Sequence, residues 1–239
     1  MLPQVVDILI ISGFALVGYL LGSINAGVLV SKVLYHDDVR NYGSGNAGTT
    51  NMLRTFGKKA AAITLLIDFM KGIVACLIPC LVVYAALSKH ELGLNSMMAA
   101  ACGCVCGHNW PCYFGFKGGK GVLVTFSVML FLAPIPALLA LLTFIVTVSI
   151  SRFVSLGSVL AAAVYPVLVY FIGGWPENTK GFKTFLIISI ILAALLIIRH
   201  HANIGRLFKG KESKLSFKSK PKVSPETSKD PQQDAGSRN

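Results

Sequence analysis

Long apolar runs restrict this chain more than any other feature. They fall at about 8–34, 60–87, 94–110, 121–133, 135–151, 154–172 and 182–199. A helix rises about 1.5 Å per residue, so roughly 20 apolar residues cross the ~30 Å hydrocarbon layer of a bilayer. Charged residues are only 13% of the 239, and most of them lie outside these runs. The expectation is an all-α polytopic membrane protein with about seven transmembrane helices. Six is the alternative, because the third and fourth runs are short and a Pro134/Pro136 hinge separates the fourth from the fifth. Asp7 is the only charge before Lys32, so the chain opens without a basic n-region and the first run reads as a permanent helix.

The net charge of +12 has to be located before it is interpreted. With the C-terminal tail inside, Lys32, Arg40, Arg54, Lys58, Lys59, Lys117, Lys120, Arg152 and the ten basic residues from Arg199 onward share the inner side, while Lys89, Lys180 and Lys183 fall outside. The positive-inside rule then puts the N-terminus outside and the C-terminus in the cytoplasm. The basic excess reflects topology and anionic headgroups, with no nucleic-acid module behind it. Residues 1–210 form the predicted transmembrane domain; 211–239, polar and basic with hardly an apolar residue, read as a disordered tail. The six cysteines form no Cys-x-x-Cys and read as small packing residues.

That topology gathers the polar, glycine-rich segments on the inner face. GSGNAGTTNMLR matches G-x-G-x-x-G through Gly43, Gly45 and Gly48, but no strand precedes it, so a dinucleotide fold is excluded. What remains is backbone able to face an anion, with Ser44, Asn46, Thr49, Thr50 and Asn51 as further donors and Arg54 as a planar phosphate fork. The echo GSINAG at 22–27 reads as a helix break or a close-packing site. GHNWPCYFGFKGGKG is not a P-loop, since Gly115 stands one residue too close to Gly119 and Gly121 follows Lys120 where a hydroxyl belongs. Its Lys117 and Lys120, set among Gly118 and Gly119 beside His108 and Asn109, suggest backbone that approaches a ligand. Ser155 and Ser158 open a helix at the inner surface, as an anion site or as plain caps. His200 and Asn203 share one helix face where the last run ends. Asp68 and Lys71, three apart within a span, read as structural support. Cations, amide and hydroxyl donors, few carboxylates and apolar walls together suit a hydrophilic phosphate compound meeting a lipid donor.

GSGNAGTTNMLR, GHNWPCYFGFKGGKG, the SLGS segment and H-H-A-N-I-x-R-L resemble, in order and spacing, the acyl-phosphate-dependent glycerol-3-phosphate acyltransferases of bacterial membranes, the PlsY family. The resemblance runs from about residue 8 to residue 210; Thr49, Asn25 and His201 depart from the family's usual Ala, Pro and Arg. It implies seven helices in the inner membrane, a cytoplasm-facing site, and acyl transfer from acyl phosphate to glycerol 3-phosphate, giving lysophosphatidic acid and phosphate. It also implies no metal, no cofactor, no acyl-CoA or acyl carrier protein, no nucleic-acid partner, and a monomer surrounded by membrane lipid. Arg54 and one of Lys117 or Lys120 would clamp glycerol 3-phosphate with Asn203. Ser44, Asn46 and nearby N–H groups, with Ser155 or Ser158, would cradle the acyl phosphate, and His200 would orient the hydroxyl or take its proton. The His-x-x-x-x-Asp motif of acyl-CoA-dependent enzymes is absent: Asn41, Asn95, Tyr113, Gly205 and Arg206 stand five residues after the histidines. A transporter for an organic phosphate, or a lipid-regulated scaffold, are the rival readings.

Overall fold

The computed structural model describes residues 2–173 and 180–215. The predicted disorder of the tail beyond Leu215 and most of the GGWPENTKG loop lie outside the described residues. Ten α-helices carry the described chain: α1 Leu2–Ser23, α2 Ala26–Tyr35, α3 Thr49–Phe56, α4 Lys58–Pro79, α5 His90–Asn109, α6 Val122–Leu132, α7 Pro134–Ser151, α8 Val154–Ile172, α9 Lys180–Arg199 and α10 His201–Phe208. Helices are the expected solution, because hydrocarbon offers no partner to a backbone N–H or C=O and a helix meets both internally.

Among the described residues, Leu2–Tyr35, Lys58–Ala86, Pro134–Ser151, Val154–Ile172 and Gly181–Arg199 are long and apolar enough to cross a membrane. Helix α6 is apolar but only 11 residues long. Helix α5 carries His90, Glu91, His108 and Asn109 at its ends. The first apolar run is not one helix. Ser23 and Ile24 end α1, and Asn25 starts α2, its side chain accepting from the Val28 N–H at 3.2 Å. GSINAG is therefore both a break and a packing site. After Pro79 the end of the α4 run, Cys80–Ala86, widens into π-helical turns.

The chain divides into two compact units, residues 25–68 and residues 2–24 with 69–215. In the larger unit α1 and α5 meet backbone to backbone. A Cβ on Gly22 would lie 2.1 Å from the Cys104 carbonyl oxygen, and one on Gly107 would lie 2.1 Å from that of Tyr19. Gly18 and Gly103 repeat the pattern one turn away, against Ala100 and Ala15. Small residues four apart allow this approach, and dispersion and backbone contacts replace the missing side chains. The apolar core of the same unit joins Cys76 of α4, Met98 and Val105 of α5, Val124 and Val128 of α6, Tyr165 and Val169 of α8, and Phe185 and Leu192 of α9. The six cysteines form no disulfide.

In the unit of residues 25–68, α2 leads through a 3-10 turn, Val39–Asn41, into a loop and then α3. Rings of Tyr35 and Phe56 stack at 4.6 Å between centroids, closing the end of α3 onto the end of α2.

Candidate active site

The loop of the smaller unit is organised by one amide. The Asn51 Nδ2 donates to the carbonyls of Val39 (3.2 Å), Tyr42 (3.0 Å) and Asn46 (3.0 Å), and its Oδ1 accepts from the Ser44 N–H at 3.2 Å. Gly45 N–H donates to Tyr42 O at 3.0 Å. The N–H groups of Ser44 and Gly45, expected to face an anion, are thus used inside the loop. Asn51 shapes the cradle. Gly43 and Gly45 take left-handed φ values there, whereas Gly48 is extended and stands as the cap of α3 without a side-chain bond. The Ser44 hydroxyl is exposed, Asn46 and Thr50 are half-buried, and half-buried Arg54 stands in the last turn of α3. Asp37 and Asp38 are occupied nearby. Asp38 meets Arg40 at 2.7 Å and Lys32 at 3.7 Å, and the Arg40 hydrogen bond holds its carboxyl below the usual range; Asp37 accepts from the Tyr42 hydroxyl. Asn51→Ala strands three carbonyls and should destabilise this unit by about 2 kcal/mol. Thermal unfolding in detergent measures it, and an unchanged midpoint would show that the loop does not depend on the amide.

The larger unit holds the remaining predicted residues. Gly119 N–H donates to the His108 carbonyl at 3.1 Å, and a Cβ on Gly119 would meet His108 Nε2 at 2.1 Å. Gly118 is likewise closed by the His108 carbonyl oxygen. At both glycines the backbone makes its close approach to His108. His108 is buried and held from behind, its Nδ1 lying 2.9 Å from the Lys71 ammonium. An ammonium only donates, so Nδ1 accepts and the imidazole proton sits on Nε2. Lys71 also donates to Gly22 O (3.1 Å) and Ile24 O (2.9 Å), the carbonyls that the break after α1 leaves without helical partners. Its expected structural role is visible in these bonds. Asn109 is fully buried, and neither side-chain amide atom has a protein partner.

Lys120, half-buried, donates to Asn203 Oδ1, while Lys117 is exposed. Asn203 Nδ2 in turn donates to Glu212 at 2.6 Å, and the same carboxylate accepts from Ser155 Oγ at 2.9 Å and Arg206 Nε at 2.7 Å. Burial works to raise the Glu212 pKa, but the bonds from Asn203, Arg206 and Ser155 outweigh it and keep the group ionised. Leu215 N–H, bonded to Arg152 O at 2.7 Å, ties the same segment down. The structure thus brings Lys120, Asn203 and Ser155 together through Glu212. It leaves Ser158 aside, its hydroxyl returned to Val154 O at 2.9 Å.

His200 is buried, and its Nδ1 is 2.8 Å from the Leu196 carbonyl, which can only accept. The proton is therefore on Nδ1 and the lone pair on Nε2. Burial above all pulls its pKa down to about 4, so the ring is neutral at pH 7. Between about 6.5 and about 4 an unfolded chain would bind the proton and the folded one would not, so falling pH destabilises the fold across that window. His201 is exposed and bonds only the Ile198 carbonyl among the contacts seen. Two residues escape a reading of the sequence. Glu212 falls there in a solvated tail and Arg199 serves as a topology charge, yet Arg199 reaches Gly119 O at 2.6 Å. No group of metal ligands occurs among the described residues.

A family model described as glycerol-3-phosphate acyltransferase matches residues 12–210. The chain belongs to the glycerol-3-phosphate acyltransferase family. Among its relatives, the glycerol-3-phosphate acyltransferase of Clostridioides difficile is 40% identical over 207 residues, covering 85% of this chain and 95% of the relative. That of Trichlorobacter lovleyi is 43% identical over 196 residues, with 82% and 93% covered. A crystal structure of PlsY (YgiH), an integral membrane glycerol 3-phosphate acyltransferase, in its glycerol 3-phosphate form, matches with a TM-score of 0.74 at 34% identity, covering 86% of this chain and 96% of that one. The lysophosphatidic acid form matches at 0.72 and 32%, with 87% and 96% covered. With several helices long and apolar enough to span a bilayer, the chain is a multi-pass integral membrane acyltransferase.

Proposed function

We propose that the chain moves a fatty acyl group from an acyl phosphate to the 1-hydroxyl of sn-glycerol 3-phosphate, as a monomer, at the cytoplasmic face of the bacterial inner membrane. The new bond joins the hydroxyl oxygen to the acyl carbon; the carbon–oxygen bond to phosphate breaks, and lysophosphatidic acid and inorganic phosphate leave. The observation that carries this reading is the state of His200, a neutral imidazole whose lone pair is fixed on Nε2 in the unit that also carries the Lys120–Asn203 pair. An imidazole of pKa about 4 is a good hydrogen-bond acceptor for a hydroxyl and a poor final home for its proton. The departing phosphate, with a second pKa of about 6 or above, is the better base. His200 thus orients the hydroxyl and the donor takes the proton.

A mixed anhydride is already activated, so no covalent nucleophile is required, and positioning with charge stabilisation suffices. Lys120, with Asn203, meets phosphate charge on the glycerol phosphate. Arg54 supplies a bidentate fork, and Ser44 and Asn46 supply neutral donors. Glu212 neither attacks nor abstracts, because three donors engage it. Sidedness is supported by the basic residues clustered on the loops that carry these groups.

The test is to give the purified protein glycerol 3-phosphate with palmitoyl phosphate, and in parallel with palmitoyl-CoA. Lysophosphatidic acid and phosphate are expected from the first mixture alone. Product from palmitoyl-CoA only overturns the donor, and silence with both in folded protein favours an organic-phosphate transporter.

A further inference from the structure

We propose that Arg199 is a positioning residue, which fixes the backbone at Gly119 and through it aims the Lys120 ammonium relative to His200. The inference rests on the reading above, in which Lys120 and His200 meet substrate. Gly119 is held at both of its polar backbone atoms. Its N–H donates to His108 O at 3.1 Å, and its carbonyl accepts from Arg199 Nη2 at 2.6 Å. No side chain could do this holding, because the space where a Cβ would stand is filled by the His108 ring.

The contacts of Arg199 are those of a brace. Beyond Gly119 O, its Nη2 lies 3.5 Å from Asn109 O, and the guanidinium sits 5.4 Å from the centre of the Trp110 ring. Its fork is turned to carbonyls and an indole face, and a planar cation can satisfy both at once where an ammonium cannot. The chain order then does the rest. Arg199 is next to His200, and Asn203, which accepts from Lys120, follows four residues on. Two successive loop residues, Gly119 and Lys120, are thereby tied to two residues that bracket His200. Lysine is long and flexible, so an unbraced backbone would let its ammonium wander from the phosphate position.

Arg199→Met and Arg199→Lys, assayed beside the parent protein, test this by steady-state kinetics and by hydrogen exchange of the intact protein in detergent. In Arg199→Met, exchange across Gly118–Gly121 should rise about tenfold or more while α1 and α5 keep parental rates, as expected when a charge-assisted bond to a loop carbonyl is lost. The KM for glycerol 3-phosphate should rise about tenfold with kcat within about threefold, and Arg199→Lys should fall between. Parental exchange and parental KM in a folded Arg199→Met would overturn the proposal, as would a fall in kcat alone. If Arg199→Met does not fold, the same readings on Arg199→Lys decide. Exchange reads the brace without catalysis. A parent protein inactive with both donors would therefore refute the reaction, while the exchange rates would still support or overturn the brace.

Discussion

Lys120→Met should lower kcat/KM for glycerol 3-phosphate by roughly 10²–10³-fold, and Lys117→Met by less than about tenfold. The two lysines are indistinguishable in the sequence, three residues apart in one glycine-rich stretch. The structure separates them. Lys117 is exposed on a loop whose neighbours Tyr113 and Phe116 are exposed as well. Lys120 is half-buried, follows the braced Gly119, and meets Asn203. A half-buried ammonium is already partly desolvated, so its attraction for a phosphate is less screened than that of an exposed one. Methionine keeps the apolar stem and removes the charge, so both proteins should elute and melt like the parent. Equal losses in the two variants, or a greater loss for Lys117→Met, would sink the assignment.

Lys71→Met is expected to destabilise the protein by about 3 kcal/mol, because three neutral acceptors lose a charged donor. The side chain joins three elements, since the carbonyls of Gly22 and Ile24 end α1, His108 ends α5, and Lys71 itself stands in α4. Without the ammonium, two carbonyls and one imidazole nitrogen lie dry. Methionine spares the desolvation of a cation, which offsets part of the loss, but each abandoned acceptor costs about 1–3 kcal/mol. Thermal unfolding in detergent reads the difference. A midpoint equal to the parent's would mean that the charge is not needed to close the break after α1. Lys71 lies outside the proposed substrate contacts, so what activity survives in the folded fraction should keep its KM.

Much of the helical architecture was legible because lipid admits few alternatives. The predicted apolar runs lie on helices, the first divided between α1 and α2, and the polar stretches between them form loops, helix ends and the short α3 and α10. GSINAG was legible for a different reason, since glycine and asparagine at those positions permit both a close approach and a new cap. Short α2 and α3 were not separable from their surroundings, because ten and eight residues carry too little periodicity. At the candidate site, Lys120, His200 and Asn203 were proposed from residue type and place. Their fixed protonation and partners were not, because these depend on residues distant in sequence. Glu212 illustrates the difficulty. A glutamate in a run of Lys and Ser looks solvated, and only the fold shows Ser155, 57 residues earlier, donating to it. Arg199 was missed because a cation at the end of a span already has an adequate explanation in topology. Gly118 and Gly119 were noticed for close backbone approach, and the His108 packed against them was not foreseen.

Where α1 and α5 meet at Gly18, Gly22, Gly103 and Gly107, no side chain stands between the two main chains. Such a contact has no rotamers and so no intermediate settings. It is shut, or it is lost. The two helices therefore act as one strut of fixed pitch, and the strut's end carries His108 with Trp110, joined to α1 by the Tyr19 hydroxyl at 2.9 Å. Acyl tails of different lengths and bilayers of different thickness have to be absorbed elsewhere. That task falls to α6, α8 and α9, whose contacts are made by Leu, Val and Phe side chains that can change rotamer without parting the helices.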